Sequence, residues 1–235
     1  RPDGFFPRLP KRPLADDAFL WAGLSAIRAK EYVRALEHLT HTVKTYPESP
    51  RMAEARYYQA EALSEMGRFA AAILIYDEII TKYPDSYLVP AALGRKGDCN
   101  FTLAAEDSSR YKESIQAYRQ VVERPDTRAD LRLQAQYKIG RCLEKMGRPK
   151  EALEQYYVKV ILRFFEDREK GVWHDPHSKV WFTRAAFNAA DIMEAEGDWR
   201  GMVSILQRVV SAGVPAAEEA RERIEQIRSE RWWLF

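Results

Sequence analysis

Gly67-Arg68-Phe69-Ala70-Ala71-Ala72-Ile73-Leu74-Ile75-Tyr76, closed by Tyr83-Pro84-Asp85-Ser86, is the stretch whose reading decides the fold, because it has a twin. Tyr32-Val33-Arg34-Ala35-Leu36 repeats the order of Phe69-Ala70-Ala71-Ala72-Ile73: an aromatic, two residues, Ala, then an aliphatic. The match continues at Leu39 and Tyr76 and closes at Tyr46-Pro47-Glu48-Ser49, every pair lying 37 residues apart. A third copy follows at Tyr111, Ser114, Ile115 and Tyr118, a shift of 42. The fourth reads Gly147-Arg148-Pro149, Ala152, Leu153 and Tyr156, and the fifth Gly197-Asp198-Trp199, Met202 and Leu206. A fixed period of this length belongs to architectures in which one supersecondary unit is stacked on the next.

Each copy reads as a helical hairpin. In the second, Ala53 to Met66 carries a helical apolar stripe, Gly67 ends it, and Phe69 to Tyr83 supplies the return helix. Pro84 stops that helix and Asp85-Ser86 can cap the next. Glycine within a helix costs about 1 kcal/mol against Ala, yet it recurs inside the first helix at Gly23, Gly97 and Gly140, with Ala60 and Ala190 at the same place in the other copies. Small residues there predict close approach of the two helices, opposite Ala35 and Ala152. The expected copies span residues 17–50, 53–86, 90–126, 131–164 and 180–214. Residues 216–231 put Ala217, Ala220, Ile224 and Ile227 on one face and charge elsewhere, as a helix capping the last hairpin would; the cap implies a natural end near Phe235.

Composition agrees with that architecture and removes some functions. Lys and Arg number 37 against 35 Asp and Glu, so no excess of cations awaits a nucleic-acid backbone. The longest apolar run, Ala70–Tyr76, is far short of the ~18 residues that a membrane span requires. The balance hides an acidic second copy and a basic fourth. Cys99 and Cys142 each follow a glycine by two residues, so they read as small buried side chains at one repeat position rather than a disulfide or metal pair. Pro2, Pro7, Pro10 and Pro13 make residues 1–14 an extended arm ahead of a domain at 15–235. The chain opens at Arg1 instead of Met, so it reads as a processed or truncated product.

These residues resemble tetratricopeptide repeats (TPR). Small residue, turn, aromatic, Ala, aromatic and Pro is that family's signature, carried from about Asp17 to Val214. The Tyr-Pro-acid-Ser closures, with Ala55 and Ala92 eight residues after Pro47 and Pro84, resemble those of bacterial envelope scaffolds of the outer-membrane-assembly lipoprotein and Tol-Pal-associated types. Departures include Ser114 for Ala, Pro149 for the aromatic, Met202 for Ala and about five extra residues near Ala104–Arg110. The resemblance implies an all-α solenoid of about five hairpins, wound as a right-handed superhelix, with the first helices lining a concave groove that holds a partner protein or peptide. It implies no cofactor. Carried onto this sequence, the lining is Tyr57, Tyr58, Glu61 and Glu65; Arg95, Asp98 and Phe101; Tyr137, Lys138, Arg141 and Lys145; and Arg184, Phe187, Asn188 and Asp191. The partner-binding set drawn from it is Tyr57, Tyr58, Glu61, Arg95, Phe101, Tyr137, Lys138, Arg141, Arg184 and Phe187. Aromatics and Arg are what protein interfaces favour. The family's clamp for a terminal carboxylate uses Lys, Asn and Arg, where the first copy has Leu20 and Leu24.

Other segments carry weaker chemistry. Trp173-His174-Asp175-Pro176-His177 offers two His and an Asp, but Pro176 argues against a helix that would align them, and an exposed loop over 165–179 is expected. His38 and His41 are expected on a solvated face. Trp232-Trp233-Leu234-Phe235 is expected to fold back on the capping helix, the alternative being an exposed patch. No phosphate loop, nucleophile elbow or zinc-protease motif occurs, so no enzyme is expected. The leading reading is a non-catalytic scaffold, periplasmic or outer-membrane-associated and with room for an N-terminal lipid anchor. A cytoplasmic adaptor, the C-terminal segment of a longer repeat array, and a helical-repeat enzyme are the rivals.

Overall fold

The structure is a computed structural model that describes residues 15–171 and 175–234. The Pro-rich arm, Trp173, His174 and Phe235 lie outside the described residues. The fold is all-α and of the solenoid class, and it forms two compact units that divide between Leu103 and Ala104, inside the third hairpin.

The first unit contains α1 (Ala15–Arg28), α2 (Tyr32–Thr45), α3 (Met52–Glu65), α4 (Phe69–Lys82) and α5 (Val89–Leu103). Each helix packs on the next, and α1 also touches α3, so the first helices of successive hairpins share a layer. The second unit contains α6 (Arg110–Glu123), α7 (Ala129–Lys145), α8 (Pro149–Tyr156), a π-helical segment Tyr157–Leu162, α9 (Arg163–Glu169), α10 (Pro176–Ala195), α11 (Trp199–Ala212) and α12 (Ala217–Glu230). Here α7 touches α10 in the same first-helix layer, and α12 covers α11 through buried Ala220, Ile224 and Ile227.

One turn joins four of the hairpins. Gly67, Gly147 and Gly197 adopt positive φ, and the residue after each sends its N–H back five residues to Leu63, Leu143 and Met193. Lys30 holds the same place in the first hairpin at φ 61°, with Glu31 bonded back to Ala26. It is the one described non-glycine residue in that region, and its Cβ is strained there.

The helix-internal glycines do bring helices together, but not at the expected alanines. A Cβ on Gly23 would stand 2.6 Å from Leu39 Cγ, and one on Gly140 would stand 2.3 Å from the Tyr156 ring. The close partner is therefore one turn beyond Ala35 or Ala152: a large, fully buried side chain that occupies the space the glycine leaves. Ala60 with Tyr76 and Ala190 with Leu206 hold the same register and are all fully buried.

The expected loop over 165–179 is mostly helix. No proline ends the fourth return helix, so α8 runs through the π segment into α9 as far as Glu169. Pro176, expected to oppose a helix, instead occupies the first position of α10, where its missing N–H costs nothing. Asp175 caps that helix by accepting from Ser178 N at 2.7 Å. The lengthened hairpin closes on Phe164 stacked against Phe182 at 4.3 Å, with Phe165 meeting Phe182 edge-on at 5.7 Å.

Two substitutions should act in opposite directions. Gly140→Ala gains about 1 kcal/mol of helix propensity but must displace a buried ring, at a cost of about 1–3 kcal/mol, so the urea midpoint should fall. Lys30→Gly relieves the positive-φ strain and should raise stability by about 1 kcal/mol. An unchanged midpoint for Gly140→Ala would show that the contact is slack.

Candidate interaction face

In the first unit, α3 presents Tyr57, Tyr58, Glu61 and Glu65 from its layer, and α5 presents Arg95, Asp98 and Phe101. Tyr76 reaches this face from the return helix α4 and donates its hydroxyl to Glu61 Oε1 at 2.5 Å. Arg95 binds the other oxygen of Glu61 at 2.9 Å and lies 3.9 Å from Asp98. The Tyr57 ring meets Tyr58 and Tyr76 edge-on at 5.4 and 6.0 Å. Tyr57, Tyr58, Glu61 and Arg95 are thus brought together, cross-bracing α3 and α5. Phe101 lies in the last turn of α5 and is half-buried. Glu65 instead accepts from Tyr32 of α2 at 3.3 Å. Burial first, then the Glu61 carboxylate, pushes the Tyr57 phenol up to about 12. The same two causes raise Tyr76 further.

The second unit repeats the device with its own residues. Tyr156 comes up beneath Gly140 and donates to Glu144 Oε2 at 2.7 Å. Glu144 also receives Arg141 at 3.0 Å and the Asn188 amide at 3.1 Å, which ties α7 to α10. The acidic and basic residues expected to polarise the two copies thus meet opposite charges: Arg95 covers Glu61, and Glu144 holds Arg141.

Next to this network lies Trp181, which the residue-by-residue reading missed. Its ring is 5.6 Å from Tyr137, which in turn is 5.8 Å from Tyr156. The Arg184 guanidinium lies 5.0 Å from the Trp181 centroid and the Lys138 ammonium 5.9 Å. Tyr137, Lys138, Arg141 and Arg184 therefore form one neighbourhood around Trp181. Phe187 is half-buried beside Asn188 in sequence. Asp191 turns toward the cap, pairing with Arg223 of α12 at 2.8 Å, while Lys145 is exposed at the end of α7. The signal for Trp181 was present: it stands three residues before Arg184, on the same helical stripe. Trp21 of α1, 59% exposed, holds the place 37 residues before Tyr58 and was passed over too.

Two expectations need correction, on the histidines and on the tail, whereas the cysteines are buried as expected. His38 and His41 are half-buried rather than on a solvated face: Phe19 of α1 packs on His41 at 4.2 Å and approaches His38 at 6.4 Å, because α2 turns that face toward α1. The C-terminal tail is tied at its backbone by Arg200 Nε, which donates to Leu234 O at 2.9 Å, and Leu234 is half-buried. Trp232 and Trp233 stay 74% and 64% exposed, while Arg231 stacks on Trp199 at 3.6 Å in their stead. Cys99 and Cys142 are buried free thiols, with Ser64 and Ser114 hydroxyls at 3.6 and 3.4 Å. Among the described residues no three His, Cys, Asp or Glu side chains converge to hold a metal ion. No described helix is long and apolar enough to cross a membrane.

Sequence profiles of the tetratricopeptide repeat family match residues 17–49, 54–86 and 90–161, more than half of the chain. No curated protein sequence matches it. Among solved structures, a tetratricopeptide repeat protein from Parabacteroides merdae superposes with a TM-score of 0.61 at 14% identity, covering 91% of this chain and 72% of that one. MamA gives 0.60 at 16% identity, covering 91% and 97%. PilF of Pseudomonas aeruginosa gives 0.59 at 17% identity, covering 94% and 92%. Likeness at these identities is likeness of fold.

The buried phenols make the face pH-sensitive in alkali. Above about pH 10, where an unfolded tyrosine ionises, the folded protein keeps protons that the unfolded chain releases. Stability should therefore be full below pH 10 and fall as pH rises through about 12 for Tyr57, with Tyr76 and Tyr156 extending the loss. A phenolate absorbance titration should show these three ionising only as helix signal is lost. Ionisation of all 12 tyrosines near pH 10 with the helices intact would contradict the network.

Proposed function

Because the chain belongs to the tetratricopeptide repeat family, whose fold is generally a non-catalytic protein-interaction module, we propose that it is a scaffold holding a partner protein or peptide against its first-helix layer. The observation that carries this reading is the Trp181 cluster. An exposed Arg184 and a half-buried Lys138 are laid on one indole ring, which is itself backed by Tyr137 and Tyr156. Aromatic and guanidinium groups bind partners well when their rotamers are fixed beforehand, because less entropy is lost on association. The Tyr–Glu–Arg bridges supply that fixing in each unit.

The partner-binding set remains Tyr57, Tyr58, Glu61, Arg95, Phe101, Tyr137, Lys138, Arg141, Arg184 and Phe187, to which we add Trp181 and Trp21. Leu74, 70% exposed on the return helix α4, gives a control position away from that layer. For location we propose the bacterial cell envelope, on the Tyr-Pro-acid-Ser closures alone.

A photo-crosslinking residue placed at Arg95 or Arg184 and expressed in the native host should capture one protein reproducibly, whereas the same residue at Leu74 should not. Capture from Leu74 alone would place the partner on the return helices and sink the reading. A full-length gene without a signal peptide, and a product that fractionates with cytosol, would sink the envelope assignment.

A further inference from the structure

Beside the Trp181 cluster, still within the second unit, a depression of about 680 Å³ opens between α10 and the connection from α11 to α12. Its volume lies within the range of about 300–1,000 Å³ usual for ligand pockets. Pro176, Val180, Val214, Pro215 and Ala216 give it an apolar floor, and Thr183 adds a hydroxyl. Val180 is 45% exposed there, with no described side chain covering it.

The rim of this pocket is cationic. Lys179 and Arg184 both line it, no carboxylate does, and neither cation forms an ion pair with any described residue. By contrast, Arg95 and Arg141 of the first helices and Arg223 of the cap sit on carboxylates within 3.0 Å. Arg184 is instead laid on the Trp181 ring, which holds the guanidinium plane and leaves its N–H edge free to meet a carboxylate in the two-pronged geometry that suits it. Two cations without counter-charges, set at the edge of an apolar floor, describe their complement: an anion with an apolar group beside it.

We propose that this pocket takes a segment of the partner protein in which a large apolar side chain adjoins one or more carboxylates. The apolar side chain seats on Val180, Val214 and Pro215 while the neighbouring carboxylate bridges Arg184 and Lys179. The inference rests on the scaffold reading and deepens it by stating what the partner carries. A peptide is favoured over a free amphiphile because the depression is open to solvent and shares Arg184 with the Trp181 cluster, so that an acyl chain seated in it would stay exposed beside two cations.

The test uses the 235-residue chain and two fluorescein-labelled probes of one length: Gly-Ser-Asp-Glu-Leu-Phe-Asp-Gly, and its counterpart with Asn and Gln in place of Asp and Glu. Fluorescence polarisation should show the acidic probe binding at least tenfold more tightly than the amide probe, with affinity falling as salt is raised. Arg184→Gln and Lys179→Gln should each weaken the acidic probe several-fold to tenfold, and Val180→Asp should abolish its binding. Arg184→Lys, which keeps the charge and loses the planar fork, should fall between, and circular dichroism should show every variant equally helical. Equal affinity for the two probes, or indifference to Arg184→Gln, would overturn the proposal. So would displacement by dodecanoate at lower concentration than by unlabelled peptide, which would assign the pocket to an amphiphile. Capture of a partner from Arg95 that persists in Arg184→Gln and Lys179→Gln would remove this pocket and leave the scaffold reading standing. Failure of capture from every first-helix position would remove both.

Discussion

The contact on which the structure depends is between a small residue in each first helix and a large one in its return helix. Gly23 with Leu39 and Gly140 with Tyr156 leave no room for a methyl group, and Ala60 with Tyr76 keeps the same register. A hairpin closed this tightly buries its inner face and leaves the outer faces of both helices for its neighbours. That is the condition for stacking, since one hairpin has too little core to stand alone. The left-handed turns of four hairpins serve the same end, bringing the return helix back at that distance.

The constraint has a chemical consequence where the large residue is tyrosine. A phenol long enough to cross the hairpin brings its hydroxyl out near the first-helix face, where only a charged acceptor compensates for its burial. Tyr76 finds Glu61 and Tyr156 finds Glu144, each carboxylate then recruiting a cation from α5 or α7 and, in the second case, Asn188 of α10. Hydrogen bonds to charged groups contribute about 1.5–3 kcal/mol, so these bridges are strong by the standards of a surface. Packing inside the hairpin thereby orders the side chains a partner would meet, and Trp181 with Arg184 extends that order to the end of the layer.

Much of this was legible in advance, for a physical reason. A 37-residue period records the same packing problem solved repeatedly, so aromatic, Ala, Gly and Pro recur at the places where geometry allows little else. Helix order followed from helical spacing, and the clustering of Tyr57, Glu61 and Arg95 from the register that the family resemblance implied. What escaped depended on contacts between copies or on exceptions to the repeat. Trp181 stands at the very start of its copy, ahead of the motif residues that define it, beside a hairpin lengthened by α9. Lys30 takes a glycine's place without any mark in the sequence. Pro176 signals either a break or a first helical turn, and only the Asp175 cap decides between them. The exposed Trp232 and Trp233 were misjudged because hydrophobicity predicts that a side chain gains by burial, not that a surface is at hand to bury it.

On this reading the partner sits on the first helices, which the tyrosine bridges hold in place. Hydrogen–deuterium exchange of the chain alone and in complex with the protein captured from Arg184 tests it most directly. Slowed exchange concentrated in α3, α5, α7 and α10 is the predicted result. Protection confined to α2, α4, α6 and α8, with the first helices unchanged, would contradict it.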